Sequence, residues 1–269
     1  VIFADLLQDR CGAVDVRSMR AVELVPRSRR APVVLLAALV ALVVAVVLVP
    51  PPAAAVSYDQ LPARLAHTDT STQVLVVTSA SWRTTWAQLR VYEKRDGRWR
   101  LVMGPMTARV GYSGMRPAAR RIQGDGTTPA GTFAITNAFG IKADPGTDLP
   151  YWRIRSRDQW WVGDRRSRYY NQPRWGSAGG FRRTERGVDG SERLIGYPTQ
   201  YAYSAVIDFN RPKPVVGRGS GIFLHVNGRG STAGCVSVTS ANLVRILRWL
   251  DPGAKPKITI APAAVVMSY

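Results

Sequence analysis

From Val74 onward, short apolar runs alternate with breaks rich in Gly, Pro, Asp and Thr. Val74-Leu75-Val76-Val77 reads as a first strand. Leu89–Glu93 and Trp99–Met103 flank Arg95-Asp96-Gly97-Arg98. An Asp-Gly pair between two alternating segments predicts a β-hairpin, because both central residues of the tight turn need positive φ. Thr132–Thr136, Tyr203–Phe209, Ile222–Val226 and Lys257–Ile260 predict four more strands. One stretch has helical period: Leu243, Val244, Leu247 and Leu250, with Ile246 beside them. Ser240 is its expected cap and Pro252-Gly253 its expected stop. Tyr151–Arg183 shows no clean period and is expected as a long loop insertion. Many short strands and a single helix in the C-terminal half predict a mainly-β domain.

The N-terminal part has a different pattern. Arg27, Arg29 and Arg30 precede Ala31–Val49, a run without charge, and Pro50-Pro51-Pro52-Ala53-Ala54-Ala55 follows. This order fits a signal peptide, and the run is also long enough for a membrane anchor. Residues 1–56 are therefore expected to be a cytoplasmic lead plus signal peptide or anchor, engaging the membrane or the export machinery. Residues 57–71 are polar and are expected as a linker. The net charge is +19, and residues 57–269 carry 31 Lys and Arg against 14 Asp and Glu, or +17. Outside a membrane, such charge suits polyanionic cell-wall material or an anionic membrane surface rather than nucleic acid.

Candidate chemistry centres on Cys235. The chain has two cysteines, and Cys11 precedes the apolar run. An exported domain usually pairs its cysteines or lacks them, so a single thiol directly after Gly234 reads as a nucleophile. His225 lies ten positions earlier, at the end of a predicted strand. An imidazole there can take the thiol proton and leave a thiolate–imidazolium pair. Gly228, Gly230 and Gly234 permit a tight return, and the N–H groups near Gly234 and Cys235 suit a tetrahedral oxyanion. Asp208, Asn227 or a backbone carbonyl could orient His225. A metal site has little support, since His67 and His225 are the only histidines. The loop 228–234 is one residue too long for a dinucleotide fingerprint, no P-loop occurs, and Ser231 lacks a Gly-x-Ser-x-Gly frame.

Ser231-Thr232-Ala233-Gly234-Cys235-Val236-Ser237, with His225 upstream, resembles the active-site signature of the YkuD-type L,D-transpeptidases. Gly124-Asp125-Gly126-Thr127-Thr128-Pro129-Ala130-Gly131-Thr132-Phe133 is similar to that family's Thr-Pro-x-Gly-x-Phe segment, and Gly219–His225 to its strand entering the site. The sequence departs from the family pattern at Ala233, where a second histidine is usual, at Ser237, where Arg or Asn is usual, and at Val226, where Gly is usual. The resemblance covers 72–262 and leaves 263–269 as a tail. It implies a β-sandwich-type catalytic domain, Cys235 as nucleophile, His225 as base and Gly234 as oxyanion neighbour. It also implies a thioester at Cys235, release of a terminal D-alanine from a peptidoglycan stem peptide, and no cofactor. Ser231, Thr232 and Asn227 are expected at the substrate. Trp161, Asp164, Tyr170 and Asn171 resemble landmarks of a divergent branch and are expected to wall the cleft, in a segment with nine arginines. The alternatives are a peptidoglycan L,D-carboxypeptidase on the same fold and a non-catalytic wall-binding module.

Overall fold

The computed structural model describes residues 58–269. The strands, in chain order, are β1 (Gln73–Ser79), β2 (Trp86–Arg95), β3 (Arg98–Arg109), β4 (Met115–Pro117), β5 (Thr128–Gly140) and β6 (Tyr151–Arg153). They continue as β7 (Gln159–Trp161), β8 (Pro173–Trp175), β9 (Glu192–Arg193), β10 (Ser204–Ile207), β11 (Phe223–Val226), β12 (Val236–Val238) and β13 (Lys257–Pro262). The single α-helix among the described residues, α1, spans Ser240–Trp249.

The predicted hairpin forms as β2–β3, with Asp96 at φ 51° and Gly97 at φ 74°, the two positive values a tight hairpin turn requires. The main sheet runs β10-β11-β12-β3-β2-β1-β13-β5, and β5 pairs back onto β10. It therefore closes on itself, so the expected sandwich is realised as one closed ring of strands. The long β5 makes this possible: Gly131–Ala134 pair with β13, and Ile135–Phe139 face β10.

β1 is buried at all seven positions because both sheet faces are covered. Leu75 and Val77 join the main core, to which α1 adds Leu243, Ile246 and Leu247, and its C-cap Leu250. Val74 and Val76 join a second core with Leu61, Leu65, Tyr92 and Val266. Residues 58–71, expected as a linker, are thus packed: Leu61 is buried, and Ala66 N–H donates to Tyr269 O at 2.8 Å. The tail 263–269 is likewise docked, as a 3₁₀ turn.

Two local expectations are corrected. The 151–183 segment is more than a loop, since β7 pairs with β8 and β9 in a small separate sheet. Thr239, rather than Ser240, caps α1 by accepting from Asn242 N–H, and the helix stops before Pro252. No helix among the described residues is long and apolar enough to cross a membrane. The Ala31–Val49 run lies outside the described residues.

Candidate active site

Strand parity builds the site. Along β11, Leu224 and Val226 point into the main core, so Phe223 and His225 share the opposite face. β12 lies parallel beside β11, with Leu224 opposite Val236 and His225 opposite Ser237. Cys235 immediately precedes β12 and joins a third core with Phe223, Trp161, Tyr201 and Phe139. The loop 227–235 thus returns the thiol to the face that carries His225. Both residues line one cavity of ≈260 Å³, together with Glu192, Tyr201, Ser231 and Thr232.

The Cys235 thiol donates to Gly221 O at 3.4 Å and accepts from Phe223 N–H at 3.3 Å. His225 Nδ1 lies 2.8 Å from Val226 O. A carbonyl only accepts, so Nδ1 carries the proton and Nε2 keeps its lone pair. Of the candidate orienting groups, the backbone carbonyl fills the role. Asp208 instead accepts from Thr136 and lies 3.3 Å from Arg211, while Asn227 Oδ1 accepts from Ser237 Oγ at 2.8 Å.

Burial dominates the electrostatics. It pushes the Cys235 thiol up to about 12, with the Glu192 charge adding to the rise, while the Phe223 N–H and Arg121 oppose it. It lowers His225 to about 4, partly offset by the bond to Val226 O. Both shifts favour a thiol and a neutral imidazole over the expected ion pair.

Threonines fix the cysteine loop. Thr128 Oγ1 and Thr232 Oγ1 both donate to Cys235 O, at 3.2 and 2.6 Å. Thr232 Oγ1 also accepts from Gly234 N–H at 3.2 Å, so that N–H is already engaged and is not poised for an oxyanion. Gly234 is required for another reason. Its φ is +136°, and a Cβ there would lie 2.7 Å from Arg121 Nη2 and 3.0 Å from Thr127 O. Ser231 is exposed at the cavity rim.

Trp161, Asp164, Tyr170 and Asn171 do not line this cavity. All four are buried. Trp161 packs edge-on against Phe223 at 4.8 Å and donates from Nε1 to Asn171 Oδ1 at 3.0 Å. Asn171, at φ 60°, also accepts from Gly221 N–H and donates to Phe209 O and Asn210 O. Tyr170 accepts from Gly219 N–H, and Asp164 accepts from the N–H groups of Arg166 and Arg182. Trp161, Tyr170 and Asn171 anchor the 219–223 segment behind the thiol, while Asp164 ties only its own loop, so the four support the site rather than wall it. The aromatic and arginine side chains of this region border a different cavity, of ≈350 Å³, lined by Trp152, Trp160, Trp175, Arg174 and Arg211.

Three residues at the site escaped the sequence reading. Arg121, buried beneath the cysteine loop, donates to Thr127 O at 2.8 Å and Arg218 O at 3.0 Å. Glu192 enters the cavity from β9, and Tyr201 packs edge-on to His225 at 5.8 Å. None stands in a recognisable motif, and only the Asp125 spacing four residues after Arg121 hinted at a pair. Among the described residues, no cluster of three or more His, Cys, Asp or Glu could hold a metal ion.

The L,D-transpeptidase catalytic domain (YkuD) family model matches residues 72–260. Searches of curated proteins and of solved structures each found no significant match. The matched span is more than half of the chain and holds both His225 and Cys235, and the protein belongs to the YkuD L,D-transpeptidase catalytic-domain family.

Proposed function

We propose that this protein is a cysteine acyltransferase that works outside the cytoplasmic membrane on peptidoglycan stem peptides, with Cys235 as nucleophile and His225 as base. The observation that carries this reading is the shared cavity: the imidazole faces it from β11 and the thiol from the residue just before the parallel β12, with the Nε2 lone pair free. The family's activity on peptidoglycan supplies the substrate class.

With both groups neutral at rest, proton transfer accompanies attack rather than preceding it. The Sγ proton passes to His225 Nε2 as the carbon–sulfur bond forms. The imidazolium then protonates the departing amine of D-alanine, leaving a thioester. An incoming amine replaces the sulfur and yields an amide cross-link, whereas water would give a free acid. The basic Arg27, Arg29 and Arg30 ahead of the uncharged Ala31–Val49 run support export.

The test is to incubate the protein with a disaccharide-tetrapeptide and read products and protein by mass. Loss of D-alanine, a thioester mapped to Cys235 and a cross-linked product are expected. A free acid alone identifies a carboxypeptidase, and an adduct mapped elsewhere, or none, overturns the assignment. A reporter fused after Tyr269 should be active only when exported, and a cytoplasmic signal would overturn the location.

A further inference from the structure

The cavity contains a carboxylate that the two half-reactions above do not use. Among the described residues, Glu192 is the only acidic one lining it. Opposed residues of an antiparallel pair share a face, and Glu192 pairs with Trp161, whose ring packs on Phe223. This register aims Glu192 at the cysteine. Its Oε1 would lie 3.5 Å from a Cβ placed on Gly221, the residue whose carbonyl accepts the Cys235 thiol. Tyr201 donates to Oε2, while Oε1 has no hydrogen-bond partner among the described residues.

Nor does a described cation balance it. Neighbouring Arg193 pairs with Glu185 at 3.7 Å, and Tyr197 donates to the same Glu185. Arg121 is engaged by Thr127 O, Arg218 O and Asp125. Glu192 is half-buried, so Oε1 is open to the cavity and to a ligand entering it. Here burial raises its carboxyl above the usual range, with the Tyr201 bond opposing, and its charge works against thiolate formation at Cys235. An anion beside a nucleophile that must itself become anionic is adverse unless a cation arrives with the substrate.

We propose that Glu192, held by Tyr201, is the subsite for a primary ammonium and the base that prepares it as acyl acceptor. This deepens the acyltransferase reading and rests on it. The acceptor R–NH₃⁺ docks on Oε1 and gives that oxygen one proton. The neutral amine attacks the Cys235 thioester, the carbon–nitrogen bond forms, and the carbon–sulfur bond breaks. The second amine proton passes to His225 Nε2 and then to the departing thiolate, regenerating thiol and neutral imidazole. Glu192 releases its proton to solvent, so the net change is thioester plus ammonium to amide, thiol and one proton. Tyr201 is a positioning residue: by occupying Oε2 it leaves Oε1 to the amine.

The test uses the full chain, acylated by the tetrapeptide donor, with glycinamide as cationic acceptor and hydroxylamine as an acceptor already neutral at pH 7. In Glu192→Gln, transfer to glycinamide should fall by about tenfold or more while hydroxylamine transfer falls less than about twofold, since only the first needs a base. Thioester formation should be faster, because the opposing anion is gone. Tyr201→Phe should lower glycinamide transfer in the same direction but by less. Equal loss with both acceptors, or none with either, overturns the proposal. A second readout does not depend on turnover. Glycinamide should accelerate iodoacetamide labelling of Cys235 in the wild-type protein and leave Glu192→Gln unaffected. That acceleration without any thioester would fail the transferase reading yet keep the ammonium site, and its absence in the wild type would sink the site.

Discussion

Replacing His225 by glutamine should remove a specific part of the protein's acid sensitivity. His225 is 6% exposed, and burial lowers its imidazole to about 4 from the ordinary 6.5. The unfolded chain therefore binds the proton more readily, and stability from this group is full above about pH 6.5 and lost as pH falls toward 4. The loss amounts to about 2 kcal/mol by pH 5 and roughly 3 kcal/mol by pH 4. Glutamine keeps an amide donor for Val226 O but cannot titrate. Urea unfolding of both proteins between about pH 7.5 and pH 5 should show their stability difference shifting by about 2 kcal/mol in favour of the variant at the acid end. Asp208 and Glu192, both raised by burial, contribute slopes of the opposite sign in both proteins and drop out of the comparison. Parallel stability curves would show that the imidazole is not held neutral and would undo the picture of a resting thiol–imidazole pair.

Trp161→Ala should destabilise by about 3–5 kcal/mol through the cavity it opens and should disturb iodoacetamide labelling of Cys235, since the ring braces Phe223 behind the thiol; normal stability with slower donor use alone would restore the cleft-wall reading. Arg121→Met should slow labelling of Cys235 several-fold at mildly alkaline pH, because the guanidinium opposes the rise of the thiol pKa; an unchanged labelling rate would remove Arg121 from the site. Gly234→Ala should cost about 1–3 kcal/mol of stability and abolish acylation, given its φ of +136° and the 2.7 Å approach to Arg121; an unchanged Tm with full acylation would refute it.

The seven strands that alternation and β-branched residues predicted are present, as β1, β2, β3, β5, β10, β11 and β13, because those signals are local. The His225–Cys235 pair was legible for the same reason: one segment carries both residues and the glycines between them. What was not legible depends on register between distant segments. Nothing in the sequence of β5 says that it turns from β13 to β10, and that choice closes the ring. The roles of Trp161 and Asn171 went the same way. An aromatic among nine arginines looks like a recognition surface, yet the β7–β9 pairing turns Trp161 inward and leaves Glu192 beside the thiol. The 58–71 segment read as a linker because its apolar residues are few, but Leu61 and Leu65 suffice to hold it down.

The closure of β10 against β5 also limits how a polymer can be recognised. An extended peptide often binds by adding itself as a further strand to a sheet's unpaired margin. Around His225 no such margin is available, since β11 pairs with β10 on one side and β12 on the other. A stem peptide therefore has no main-chain template beside His225 to lie against. On the proposed reading a stem peptide is held instead by side chains and loop amides around the cavity mouth, where residues 228–233 line the opening, so changes in that loop should retune substrate choice without touching the barrel beneath.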